Sequence, residues 1–150
     1  MPEQNIVVNR KASFEYTLEV KYEAGIVLTG TEIKSVRNSQ ANLDDAYCTF
    51  YNNELWVKGM HIAEYKEGSY NNHLAKRDRK LLLNKSELKK LLSKVKEKGY
   101  SIIPIRLYLS EKGLAKLEIA LARGKKLYDK RQDIKKKEAD REMDRATKKY

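Results

Sequence analysis

The sequence has few cysteines and prolines, and it has no long hydrophobic run. Among its 150 residues, one is a cysteine, Cys48, and two are prolines. A lone cysteine excludes an intramolecular disulfide, which fits a reducing compartment, and its apolar neighbours predict a buried side chain. No apolar run approaches the ~20 residues of a membrane span, and the first residues lack the apolar core of a secretory signal. We therefore expect a cytoplasmic protein that does not enter a membrane.

Positive charge is abundant and unevenly distributed. The chain has 32 basic and 21 acidic residues, a formal net charge of +11. Residues 1–75 carry a net charge of −3, whereas residues 76–98 carry +7 and residues 123–150 carry +6. Basic residues that are concentrated in this way are typical of proteins that bind a polyanion such as RNA. The two basic blocks are therefore candidate binding regions.

The hydrophobic pattern predicts a mainly β fold. Apolar and polar residues alternate from position 14 to 21, and further strands are predicted at 26–28, 46–51, 55–57, 62–65, 101–109 and 114–122. Asn52 and Asn53 predict a hairpin turn, and Pro104 predicts a sheet edge or a bulge. Short antiparallel strands with a helix between strand groups favour a small OB-like β-barrel, although the pattern does not separate a barrel from a sandwich.

Two helices are predicted to flank this barrel. A short helix begins at Thr31 as its N-cap and ends at Val36 or Arg37. A longer one begins after Asn84, has a capping box and a leucine-rich stripe, and ends at Gly99. Residues 67–79 are predicted to form a loop that leads into a basic run. We expect residues 1–123 to form one RNA-binding barrel domain.

Residues 124–150 differ in composition from the rest of the chain. They are mostly charged, and their few apolar residues form no stripe wide enough to pack. Opposite charges four residues apart, such as Asp133 and Lys137, support a helix, but an isolated helix of this length is marginal in water. We predict a basic C-terminal tail that is disordered alone and helical on an anionic surface. A tail that only promotes solubility is the alternative.

No group of residues has the spacing of a catalytic, metal or cofactor site. His61 and His73 have no cysteine partner at zinc spacing, and the adjacent Asp44 and Asp45 are more typical of a turn. The glycine patterns that bind phosphates are missing. A nuclease that uses Asp44, Asp45 or His61 therefore has little support, whereas a generic OB-fold RNA binder, such as a ribosome assembly factor, stays compatible with the sequence.

Six short segments match one protein family in the correct order. They are Asn9–Ala12, Tyr22–Gly25, Gly30–Arg37, His61–Tyr65, Arg79–Asn84 and Gly124–Arg131. Each segment is weak evidence alone, but the ordered set is specific. Over residues 6–150 the sequence resembles the small protein B family, the SsrA-binding proteins. The resemblance implies an OB-type barrel that binds the tRNA-like domain of transfer-messenger RNA.

The resemblance also implies a mechanism and a set of contact residues. Protein and RNA together would mimic a tRNA and be delivered to stalled ribosomes for trans-translation, with the elongation factor that carries aminoacyl-tRNA as a further partner. The protein would be a monomer without enzymatic activity. The implied RNA-binding residues are Glu23, Lys34, Arg37, Arg79, Lys80, Leu82 and Asn84. The tail would enter the vacant mRNA channel and decoding centre through Gly124, Lys125, Lys126, Tyr128, Asp129, Lys130, Arg131, Lys135, Lys136 and Lys137.

Overall fold

A computed structural model describes residues 3–65, 72–97 and 99–124 of the chain. Strands dominate these ranges, and three helices connect or flank them. In chain order the elements are β1 (Gln4–Val8), α1 (Ala12–Glu15), β2 (Tyr16–Ile26), α2 (Gly30–Arg37), β3 (Ala41–Asn42), β4 (Tyr47–Tyr51), β5 (Glu54–Lys58), β6 (His61–Ile62), β7 (Arg79–Leu82), α3 (Lys85–Val95), β8 (Tyr100–Leu109) and β9 (Ala115–Gly124).

Seven strands form one antiparallel sheet that closes on itself. The strand order is β1-β8-β4-β5-β7-β2-β9, and β8 pairs additionally with β9. That last pairing joins the two ends of the sheet, so strands β8, β4, β5, β7, β2 and β9 form a closed ring, with β1 added on β8. The short strands β3 and β6 form a separate two-stranded sheet. The predicted mainly β, OB-like barrel with flanking helices is confirmed.

The core lies inside the barrel, and a smaller apolar cluster lies outside it. Leu55, Val57 and Leu117 point inward and are fully buried. Ala120 and Ala122 alternate with the inward residues of β9 and pack in the outer cluster, which α1 covers through Ala12. Because successive side chains of a strand point to opposite faces, both faces of this part of the barrel are apolar.

Several local predictions are confirmed. Asn52 and Asn53 turn the β4–β5 hairpin with positive φ angles of 50° and 62°. Cys48 is buried in the core, and burial raises the pKa of its thiol. Pro104 lies at the register shift between β8 and β9, where a bulge leaves its missing N–H without consequence for the ladder.

The strand boundaries near the N-terminus were predicted wrongly. Strand β1 was not predicted, because the successive apolar residues 6–8 do not alternate with polar ones. The strand predicted from position 14 begins at Tyr16, since Phe14 belongs to α1. It then continues to Ile26, with a register shift between Leu18 and Val20, so Gly25 lies inside the strand and not at its end. The second strand predicted at 26–28 is wrong, because Val27 and Leu28 lie beyond the end of β2.

The two predicted helices keep their positions with corrected ends, whereas α1 was not predicted. The N-cap of α2 is Thr29 and not Thr31: its hydroxyl accepts from the Glu32 N–H at 3.4 Å, and its own N–H donates to the Glu32 carboxylate at 2.9 Å. The predicted cap of α3, Asn84, is confirmed. That helix ends at Val95, earlier than Gly99, whose positive φ of 91° turns the chain into β8.

Candidate nucleic-acid interface

Strand β7 divides the predicted basic run between the two faces of the barrel wall. Arg79 and Leu81 are buried, whereas Lys80 is partly exposed and Leu82 is 51% exposed. This is the period-two alternation of a strand. This strand was not predicted, because a basic run that follows a polar segment with glycine and asparagine indicates the end of a loop. Only Lys80 and Leu82 of this strand can therefore face a partner molecule.

Arg79 is enclosed by hydrogen-bond acceptors inside the protein. Its Nε donates to the Glu32 carboxylate, its Nη1 to the Met60 carbonyl at 2.8 Å, and its Nη2 to the Ala75 carbonyl at 3.2 Å. Neither Arg79 nor Glu32 has any exposed side-chain surface. The expected direct contact between Arg79 and RNA is therefore incompatible with this conformation, and Arg79 instead fixes β7 relative to α2.

Glu32 is the shared acceptor of this buried network. Arg77 donates to its other oxygen at 2.6 Å. Burial acts to raise the pKa of Glu32, but hydrogen bonds from Arg77 and the Thr29 N–H, together with the charge of Arg79, outweigh it and lower the pKa. The carboxylate is thus charged at neutral pH and holds two arginines.

Glu23 and Leu82 lie close together on the outer face of the barrel. In the β2–β7 ladder, Gly25 is the register partner of Leu82, and Glu23 precedes Gly25 by two residues on the same face. The Glu23 side chain is 56% exposed. The structure therefore brings together two of the residues that the family resemblance implied, although they are 59 positions apart in the sequence.

A group of residues from β8, β9 and the position just before β1 stands beside Glu23. Arg106 Nη2 lies 4.0 Å from the Glu23 carboxylate and 3.5 Å from that of Glu3, and its Nε donates to Glu118 at 3.0 Å. The guanidinium also lies 4.0 Å from the ring centre of Tyr108. Burial and the neighbouring Glu23 carboxylate raise the pKa of Tyr108 to about 12. Sequence reasoning missed this group, because its members come together only in the folded barrel.

Asn84 follows Leu82 by two residues, beyond the end of β7, and its side chain is exposed. Its Oδ1 accepts from the Glu87 N–H at 2.9 Å and from the Ser86 hydroxyl at 2.8 Å. Within the described residues, its amide nitrogen makes no hydrogen bond. The N-cap interaction therefore uses the side-chain oxygen of Asn84 and leaves its amide nitrogen free to donate to another molecule.

The remaining predicted cations have different surroundings. Lys80 is paired with Glu54 at 3.1 Å. Lys34 and Arg37 are exposed on α2, where Lys34 lies 5.3 Å from the ring centre of Tyr65. No hydrogen bond or ion pair within residues 3–65, 72–97 and 99–124 joins Lys34 or Arg37 to Glu23, Leu82 or Asn84. Their exposed side chains are therefore available to a partner molecule.

Potential metal ligands do not converge in the part of the chain that the structure describes. No group of three or more His, Cys, Asp or Glu side chains there could hold a metal ion. His73 Nδ1 lies 2.9 Å from the Thr31 hydroxyl and its Nε2 lies 2.9 Å from the Ile62 carbonyl, so its ring is engaged in structural contacts. Asp44 and Asp45 lie in a turn, as predicted. Among the same residues, no helix has the length and hydrophobicity to cross a membrane.

The tail begins at a defined point of the barrel. Gly124, the last described residue, is paired with Tyr16 at one end of the β2–β9 ladder. The predicted contacts of Lys125, Lys126, Tyr128, Asp129, Lys130, Arg131, Lys135, Lys136 and Lys137 lie outside the described residues, as do the predicted helix of the tail and residues 66–71 of the predicted loop.

The fold and its surface define a class of protein. A small closed antiparallel barrel with an exposed carboxylate, an amide and cations on its outer face belongs to the OB-type class, whose members commonly carry nucleic acid on the barrel surface. The sequence pattern of the family described as SmpB protein matches residues 6–149. The chain belongs to the SmpB family.

Individual relatives agree with this assignment. The SsrA-binding protein of Phocaeicola vulgatus is 61% identical over 139 residues, which cover 93% of both chains. The SsrA-binding protein of Desulforudis audaxviator is 52% identical over 145 residues, which cover 97% of this chain and 94% of the relative. A solved structure, described as "tmRNA-SmpB: a journey to the center of the bacterial ribosome", matches with a TM-score of 0.68 and 44% identity, over 81% of this chain and 85% of that one.

Proposed function

We propose that this protein binds the tRNA-like domain of transfer-messenger RNA and delivers it to stalled ribosomes in trans-translation. The observation that carries the proposal is that Glu23 and Leu82 share one outer face of the barrel, with Asn84 exposed two residues further along the chain; these three residues are called the edge below. The relatives are named for binding SsrA, and the similar solved structure is described in terms of tmRNA and the bacterial ribosome. Action on ribosomes also implies a cytoplasmic protein.

The chemistry of this edge suits a folded RNA. A carboxylate accepts hydrogen bonds only, so Glu23 fits a base amino group or a ribose 2′-hydroxyl rather than a phosphate. The free amide nitrogen of Asn84 donates, and the exposed Leu82 covers the apolar side of a ribose or a base. Contacts of these kinds recognise shape and the 2′-hydroxyl, as an RNA elbow requires. Lys34, Arg37 and Lys80 add positive charge around the edge.

The basic tail is proposed to act on the ribosome rather than on transfer-messenger RNA. Residues 124–150 would enter the vacant mRNA channel of the small subunit, because cationic segments gain free energy when they release counterions from RNA. Tyr128 would stack near the decoding centre, and Asp129, Lys130 and Arg131 would anchor the start of the tail. The elongation factor that carries aminoacyl-tRNA would be a further partner of the complex, with the protein as a monomer.

Two measurements test this proposal. The full chain should bind transfer-messenger RNA more tightly than an ordinary tRNA of similar length, with an affinity that falls as salt rises. Deleting residues 131–150 should leave that affinity unchanged and abolish peptide tagging on stalled ribosomes. Equal affinity for both RNAs would instead favour a generic OB-fold RNA binder.

The protein is further proposed to lack enzymatic activity of its own. The support is that no group of three or more His, Cys, Asp or Glu side chains among the described residues could hold a metal ion. Purified protein incubated with RNA and Mg²⁺ should leave the RNA intact. Metal-dependent cleavage that Asp45→Ala abolishes would reverse this part of the proposal.

A further inference from the structure

Lys116 lies on the outer face beside β2, on the side of that strand opposite Leu82, although neither its sequence context nor the family resemblance singled it out. In the β2–β9 ladder Lys116 is the register partner of Gly25, and Gly25 is the register partner of Leu82 in the β2–β7 ladder. On its other side, Lys116 is paired with Tyr108 of β8. One row across four adjacent strands therefore contains Leu82, Gly25, Lys116 and Tyr108.

The charge of Lys116 is not neutralised by the rest of the described protein. The neighbouring cations are occupied: Lys80 is paired with Glu54 at 3.1 Å, and Arg106 with Glu118 at 3.0 Å. Within the described ranges, Lys116 forms neither an ion pair nor a hydrogen bond through its side chain, and it is partly buried. A lysine in this setting keeps its stem on the barrel wall and presents its ammonium group to solvent or a ligand.

Gly25 leaves a gap in the row between Leu82 and Lys116. A β-carbon added at Gly25 would lie 3.4 Å from Leu82 Cβ and 3.7 Å from Leu82 Cδ1, which is ordinary van der Waals contact. The fold itself therefore does not require glycine at this position. Missing side chains in strands often mark sites where another backbone approaches closely, and here the open position lies between an exposed leucine and an unpaired lysine.

We infer that Gly25 and Lys116 form a seat for the sugar–phosphate backbone of the bound RNA, with Lys116 as the phosphate contact. The inference rests on the proposed function and adds to it a contact with an RNA phosphate, which the Glu23 carboxylate cannot make. The Glu23 carboxylate repels phosphates, so a cation next to it is needed to hold the backbone while Glu23 reaches a base or a 2′-hydroxyl. The depression over Gly25 lets the ribose approach the sheet, and the ammonium group of Lys116 meets the adjacent phosphate.

The test measures the affinity of full-length variants for the tRNA-like domain of transfer-messenger RNA as a function of salt. Lys116→Gln should weaken binding about three- to tenfold at low salt and reduce the slope of log affinity against log salt by about 0.7–0.9, as expected for one lost phosphate contact. Gly25→Ala should weaken binding without changing that slope, because it removes space and not charge. Its thermal unfolding should match that of the wild type.

A matched control is Lys11→Gln, which removes an exposed lysine at the N-cap of α1. This helix leads into the start of β2 at Tyr16, which lies about 30 Å from Gly25 along the strand. Its affinity and salt slope should equal those of the wild type. The inference is overturned if Lys116→Gln behaves like Lys11→Gln, or if Gly25→Ala binds as the wild type does. Wild-type protein that fails to distinguish transfer-messenger RNA from tRNA would instead overturn the proposed function itself.

Discussion

Glu32 and Arg79 form an ion pair inside the barrel in which neither side chain has any exposed surface. The pair joins the first turn of α2 to the first residue of β7, and the Met60 and Ala75 carbonyls satisfy the other donors of the guanidinium. Arg79 thereby positions the strand that carries Lys80 and Leu82 without itself reaching the surface.

Glu32→Gln should destabilise the fold strongly, because it leaves the buried Arg79 without a counter-charge. Breaking a buried pair costs about 3–5 kcal/mol. Urea denaturation measures the loss in free energy of unfolding. The control is Glu54→Gln, which breaks the pair between Glu54 and Lys80 on the partly exposed outer face and should cost less than about 1 kcal/mol. Similar losses in both variants would contradict the structural role of Glu32.

The stability that Glu32 contributes should disappear in acid. The pKa of Glu32 in the folded protein is lowered from its ordinary value of 4.5. A carboxyl group of this kind stabilises the native state above its unfolded pKa, and that contribution is lost as the pH falls through the lower, folded pKa. The difference in urea midpoint between wild type and Glu32→Gln should therefore be constant near pH 7 and shrink below pH 4.5. A difference that does not depend on pH would refute the assigned ionisation.

Substitutions of Asn84 should separate its two roles. Asn84→Ala removes the cap of α3 and should reduce the free energy of unfolding by about 0.5–2 kcal/mol. Asn84→Ser keeps a good N-cap oxygen but removes the amide nitrogen, so its stability should stay near that of the wild type while its affinity for transfer-messenger RNA falls. Denaturation and binding are measured on the same samples. If Asn84→Ser binds transfer-messenger RNA as tightly as the wild type does, Asn84 acts only as an N-cap and does not contact the RNA.

Gly59 should tolerate a side chain less well than Gly113. Both have positive φ angles, 73° and 78°, so alanine meets a similar backbone penalty at each position, roughly 1–2 kcal/mol. A β-carbon at Gly59 would also lie 2.5 Å from the Asp45 carbonyl oxygen, whereas the space around Gly113 is open. Thermal denaturation should therefore rank Gly59→Ala clearly below Gly113→Ala, and equal melting temperatures would argue against the close approach of the two backbones.

Local signals in the sequence predicted local structure well. The cap at Asn84, the turn at Asn52 and Asn53, and the bulge at Pro104 each depend on residues that lie within a few positions of one another. Strand β7 was not predicted, because its buried positions include Arg79, and a charged residue does not indicate burial in a hydrophobic pattern. Burial of Arg79 becomes tolerable only through Glu32, which is distant in the sequence.

The candidate site was predicted less completely than the fold. Glu23, Leu82 and Asn84 came from the family resemblance, and their meeting on one surface depends on the β2–β7 register, which composition does not reveal. Lys116 and the residues around Arg106 carry no motif at all, because each is an isolated position in its own strand. The roles assigned to residues 125–150 stay predictions.

The closure of the barrel by its last strand has a consequence for how the protein is made. Strand β9 pairs with β2, so Leu18 meets Ala122 across more than one hundred positions of chain. Contacts between such distant segments slow folding, and they cannot form until β9 has been synthesised. A chain cut short before residue 115 would therefore lack the strand that joins the two sheet ends, and it would expose the unpaired edges of β2 and β8 to aggregation.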